Sequence, residues 1–136
     1  MNKRRSLLIT VCGLLTAQRV RASDKLPLEF VGMWASEESR ISGDQLRSGS
    51  AIYLTASGRG AIVGGAPRIA FRIEAKFIAS TSRLEYVAFN GDKPGPSGGM
   101  DYDPGKRVLY SKDDPAVVLR RRATTVPGDI RKNLGL

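Results

Sequence analysis

The chain has no histidine, and its one cysteine is Cys12. The first absence removes Ser-His-Asp and Cys-His nucleophile arrangements and the usual zinc ligand sets. Helical patterning is also nearly missing, since past the first two dozen residues apolar side chains do not recur three and four apart. Paired carboxylates would still permit acid-base chemistry if two converged in a cleft. Glu37, Glu38, Asp92, Asp101, Asp103, Asp113 and Asp114 fall in loops or turns, where acids are normally solvated. Glu74 and Glu85 alternate with apolar residues on strands and so point away from the core. The expectation is a protein that is not an enzyme, with no cofactor and no bound metal.

What is present begins with a leader. Lys3, Arg4 and Arg5 precede an apolar run from Leu7 to Ala17, and Val20-Arg21-Ala22 offers a small-residue cleavage site before Ser23. These are the three parts of a secretory signal, and the apolar run is too short for the roughly 20 residues a bilayer-spanning helix needs. Arg4-Arg5-Ser6-Leu7-Leu8 is similar to a twin-arginine export motif, with the general secretory route as the other reading. Ile9-Thr10-Val11-Cys12 departs from a lipoprotein site, because Val11 is bulky where a small residue belongs.

Removing residues 1–22 from the 136 leaves 114, enough for one domain with a single core. Cys12 leaves with them, so no disulfide is available even in an oxidising compartment. Loss of Lys3, Arg4, Arg5, Arg19 and Arg21 lowers the net charge from +9 to about +4. The expected location is periplasmic or extracellular. There a modest positive charge suits an anionic surface such as lipid head groups, or an acidic protein partner, better than nucleic acid. Tyr53, Tyr86 and Tyr110 would offer a stacking platform in principle, but an exported chain rarely meets nucleic acid.

The segment from Pro67 to Ser80 organises the rest. Ile69, Phe71, Ile73, Ala75, Phe77 and Ala79 alternate with Ala70, Arg72, Glu74, Lys76 and Ile78, the period of a strand with one apolar face. Similar strands are expected at Phe30–Trp34, Ala51–Ala56, Ala61–Val63, Arg83–Phe89, Lys106–Ser111 and Ala116–Arg121. Ser57-Gly58-Arg59-Gly60, Gly64-Gly65-Ala66-Pro67, Ser80-Thr81-Ser82 and Lys112-Asp113-Asp114-Pro115 supply the turns. The prediction is an all-β domain over 23–122, a small antiparallel meander barrel of about seven strands, with a β-sandwich as the alternative. Residues 36–50 read as a loop, and 123–136 as a flexible C-terminal tail in which Asp129 could start a short helix.

The segment from Asn90 to Gly105 reads as a long loop, because Gly91, Pro94, Gly95, Pro96, Gly98 and Gly99 crowd it. A loop of that length in a compact domain is more often functional than connective. Asp92, Met100, Tyr102 and Asp103 are therefore the expected contact residues for a ligand or partner. Asp92, Asp101 and Asp103 offer oxygen ligands for Ca²⁺ but lack EF-hand spacing, and Asp103-Pro104-Gly105 reads more simply as a turn. The glycines do not form a phosphate loop, since neither Lys-Ser nor Lys-Thr follows them.

Gly32-Met33-Trp34 resembles the G-x-W element on the first strand of lipocalins and other calycin-like barrels, and Arg120-Arg121-Arg122 resembles the terminal-strand arginine of that family. The resemblance implies a barrel closed at its base. Gly32 would permit a close backbone approach, Trp34 would plug the bottom, and Arg120, Arg121 or Arg122 would lie across the indole, with Arg120 as the first choice. It further implies a binding scaffold without built-in catalysis; Phe71, Ile73 and Phe77 are the residues expected to line the interior, around a small apolar or amphipathic ligand. The alternative function is an exported inhibitor or interaction protein acting on a protein partner through its loops. A monomer is expected in either case.

Overall fold

The computed structural model describes residues 26–65 and 67–136, so the leader and its cleavage site after Ala22 lie outside the described residues. A single 3-10 turn, Leu28–Phe30, leads into the strands β1 (Gly32–Ala35), β2 (Arg40–Ser42), β3 (Gln45–Ser48), β4 (Ala51–Leu54) and β5 (Arg59–Gly64). After these come β6 (Ile69–Ile78), β7 (Arg83–Asn90), β8 (Lys93–Asp103), β9 (Val108–Tyr110), β10 (Val118–Ala123) and a helix, α1 (Gly128–Leu134). From β4 to β10 every strand pairs antiparallel with the next, and β1 lies between β4 and β10 to complete a closed eight-stranded barrel. The all-β meander barrel expected from the sequence is therefore the fold, with eight strands in the ring. At this coarse level it is the architecture of a lipocalin-like barrel.

Alternation divides each strand between two cores. Facing inward, Trp34, Ile52, Leu54, Ile73, Ala75, Leu84, Met100, Leu109 and Leu119 form the interior with Phe30 and Tyr102. On the outer face of β1, β4 and β5, Met33, Ala35, Ala51, Tyr53, Ala61 and Val63 form a second buried cluster. A short strand buried on both faces reads as a continuous apolar run, as Ala51-Ile52-Tyr53-Leu54 does.

That outer cluster needs a cover, and two segments expected to be irregular supply it. Residues 36–50 contain the β2–β3 ribbon, which brings Leu46 and Ile41 onto the cluster. The C-terminal segment is not a free tail. Val126, Ile130, Leu134 and Leu136 pack on the same cluster, while Gln45 Nε2 donates to Asp129 Oδ1 at 3.2 Å and Thr125 Oγ1 to Asp44 Oδ2 at 2.9 Å. A helix of seven residues has too few internal hydrogen bonds to persist alone, so α1 depends on this packing.

The expected loop at 90–105 is corrected as well. Asn90 to Lys93 forms a tight hairpin, and β8 then runs for eleven residues beside β7. The prolines and glycines that argued against a strand have local reasons. The β7–β8 register shifts between Val87 and Phe89, opposite Pro94 to Ser97, and irregular pairing of this kind is where strands tolerate a residue without an N–H. Gly98 and Gly99 leave room for neighbours, since a Cβ at 98 would lie 2.7 Å from the Tyr86 hydroxyl and one at 99 would lie 2.7 Å from the Arg83 guanidinium.

Candidate functional site

The base of the barrel is built by the 3-10 turn. Phe30 enters the ring, with its ring centroid 4.6 Å from Phe77 and 4.7 Å, edge-on, from Tyr102, and Trp34 meets Tyr102 edge-on at 6.3 Å. Such tilted contacts suit the ring quadrupoles, and full burial of Phe30 alone contributes about 2–3 kcal/mol. The indole N–H of Trp34 donates to the Phe30 carbonyl at 2.9 Å, so the buried donor is satisfied.

Gly32 stands where the turn joins β1. Its φ is +129°, and an added Cβ would collide with the carbonyl oxygen of Ala123 and lie 2.8 Å from Thr124 Cα. The close approach expected of Gly32 is present. Trp34 is buried at the base, but the expected arginine across its indole is not found: among the described residues the cation-π contact is Arg72 over Phe89. Arg120 points outward and pairs with Glu37 at 3.2 Å, and Arg122 donates to the Ser36 carbonyl at 2.7 Å. Arg121 is the register partner of Trp34, and it donates from Nε to the Val31 carbonyl at 2.8 Å and from Nη2 to the Leu28 carbonyl at 3.0 Å. Leu119 packs in the interior, and alternation from it places Arg121 on the same face, a choice the sequence alone left open.

Around this plug lies a cleft of 630 Å³ lined by Glu29, Trp34, Tyr102 and four cations, Lys106, Arg107, Arg120 and Arg121. Sequence reasoning missed Glu29, Lys106 and Arg107, because the turn that carries the last two was read as a strand start. The Tyr102 hydroxyl donates to Glu29 Oε2 at 2.9 Å. Burial, and then the Glu29 carboxylate, push the Tyr102 hydroxyl above its ordinary 10.0.

The four expected contact residues do not form one site. Asp92 is exposed in the hairpin at the open end, and Met100 and Tyr102 are buried in the interior. Asp103 sits at the base, where its Oδ1 accepts the backbone N–H of Gly105 at 2.9 Å and of Lys106 at 3.2 Å, the turn-forming role. Eleven rises of strand separate Asp92 from Asp103, about 35 Å at strand spacing. Asp101 is buried between Arg83 at 3.4 Å and Lys112 at 3.9 Å, and its Oδ2 has no hydrogen-bond donor. Among the described residues no three acids cluster in a way that could hold a metal ion.

The three expected interior residues also separate. Ile73 is fully buried and Phe77 packs on the base aromatics, but Phe71 is 44 % exposed at the rim, next to Ile69 at 52 %. Phe71 pairs with Ile62 of β5 near the end of β6, where the long strands β6, β7 and β8 extend past the short β1 and β4. Glu74 is held by Arg72 at 3.0 Å and Glu85 lies 3.9 Å from Arg83, both on the outer face.

Comparison with protein-family models, with curated proteins and with solved structures yields no match to this chain.

Proposed function

We propose that this chain is an exported, non-catalytic binding module that recognises a protein partner at the open end of its barrel. The observation that carries the reading is the aromatic packing of Phe30, Phe77, Tyr102 and Trp34, which fills the lower interior of the barrel with side chains. Recognition then moves to the surface, and the exposed large apolar side chains of the strands are Ile69 and Phe71 at the rim of β6, with Val118 of β10. Apolar groups held on a rigid edge are what a partner can desolvate. The absence of histidine, and the engagement of Glu74 and Glu85 by their own arginines, favour binding over catalysis. Export rests on the leader of residues 1–22.

The test is a photo-crosslinking residue placed at position 71, with position 85 on the outer face as the control, in cells that make the protein. A discrete adduct from 71 and none from 85 is expected. Native mass spectrometry of the same preparation reads the two remaining parts of the proposal. A retained leader overturns export, and a retained small molecule overturns the protein-partner reading in favour of an internal ligand.

A further inference from the structure

The cleft at the base lies at the opposite end from the rim, so it stands independently of any partner bound there. We propose that it takes the phosphate group of an anionic phospholipid, with Leu28 beside it reaching into the acyl edge of the bilayer. Three features converge on this occupant. Lys106, Arg107 and Arg121 face the cleft, and among the described residues no carboxylate comes within ion-pair distance of any of them. Glu29, the acid in the lining, has one oxygen engaged by the Tyr102 hydroxyl.

Arg121 is pre-organised. The carbonyls of Val31 and Leu28 occupy Nε and both Nη2 hydrogens, which fixes the guanidinium plane and leaves the Nη1 donors for a ligand oxygen. A planar donor fork held before the ligand arrives loses little freedom on binding phosphate.

Leu28 is the third feature. It is the most exposed large apolar side chain among the described residues, at 77 %, and its own carbonyl is an acceptor for Arg121. A leucine held in water at the lip of a cationic cleft gains nothing from a free anion. An amphiphile accounts for both, because its phosphate lies within a few ångströms of the apolar layer.

The test uses the chain from Ser23 onward, which contains every strand of the closed ring and both buried clusters. Flotation is measured with vesicles of phosphatidylcholine alone and with phosphatidylglycerol added. Binding to the anionic vesicles only, weakening as salt is raised, is expected. Each cation near a charged bilayer surface contributes about fivefold, so Lys106→Gln with Arg107→Asn should weaken vesicle binding on the order of twentyfold. Asn is chosen because Arg107 has φ +58°, a region Asn tolerates. Glu29→Gln should strengthen binding, and Leu28→Gln should weaken vesicle binding while leaving any inorganic phosphate titration, followed by NMR shifts of the cleft residues, unchanged. Phosphate binding by the same residues without vesicle binding overturns the lipid as occupant in favour of a soluble phosphate. Equal flotation with both vesicle types, or indifference to the double substitution, overturns the site.

Discussion

Arg121 Nε lies 2.8 Å from the carbonyl oxygen of Val31, tying the last strand of the ring to the residue that precedes the first. With Nη2 bound to the Leu28 carbonyl, one guanidinium caps the whole 3-10 turn. Lysine has no fork and cannot span both carbonyls in the same geometry. Arg121→Lys should therefore destabilise the fold by about 1–2 kcal/mol, within the range for hydrogen bonds to charged groups discounted for exposure. A lower urea midpoint with an unchanged slope is the expected result. An equal effect from Arg120→Lys would contradict the assignment of the capping role to Arg121.

Phe30 is the keystone of the interior. Truncation to alanine removes its contacts with Phe77, Tyr102 and Trp34 together, at a cost of about 3–5 kcal/mol. Trp34 is the one tryptophan of the chain, so its fluorescence reports the loss directly. Equilibrium unfolding should show the drop in stability, and the native emission should shift toward the red as water reaches the indole.

Two glycines with positive φ separate strain from space. Gly32, at +129°, has the Ala123 and Thr124 backbone where a Cβ would go, and Gly91, at +64°, has nothing within 4 Å. Gly91→Ala should cost about 1 kcal/mol, the strain of placing an alanine at positive φ. Gly32→Ala should cost several times more or prevent folding, because the backbone of β10 must move. Thermal midpoints of the two variants make the comparison, and similar losses would be inconsistent with a close approach at Gly32.

The buried tyrosines make stability fall at alkaline pH. Tyr53 and Tyr102 both have hydroxyls raised above 10.0, in each case chiefly by burial. Above pH 10 the unfolded chain therefore releases these protons more readily than the folded one. The folded state then binds more protons, and stability falls as pH rises. The contribution is fully present below pH 10 and is lost as pH climbs through the folded values. Tyr102→Phe should flatten this alkaline decline, as followed by unfolding at a series of pH values from neutral upward.

Most of the ring was legible in the sequence, because β6 and β7 carry period-two alternation, β4 and β5 hold short apolar runs, and glycine or serine turns separate them. What stayed hidden was structure that depends on a distant partner. Pro94 to Gly99 looks like a loop until β7 is beside it, with Tyr86 and Arg83 lying over the glycines. Ile130 and Leu134 look like a loose tail until Met33, Tyr53 and Val63 present an uncovered face. The contact residues failed for the same reason. Once the supposed loop becomes a strand, Met100 and Tyr102 turn inward, and Asp92 and Asp103 go to opposite ends. The base cleft escaped notice because Glu29 and Arg107 are far apart in sequence and meet only after the ring closes.

The seam that closes the ring pairs Met33 with Ala123 and Trp34 with Arg121. Every other ring contact joins strands that follow one another along the chain, apart from β1 with β4, which encloses only the ribbon. The barrel therefore has one step of very long range, and that step needs the C-terminal strand. Hairpins from β4 to β9 can zip as they emerge, but β1 has its second ring partner only once β10 has been made. Closure of so long a loop carries its entropy cost before any contact repays it, which places this fold among the slower small domains, in the millisecond-to-second range. Until then the chain remains an open sheet whose two edges have yet to meet.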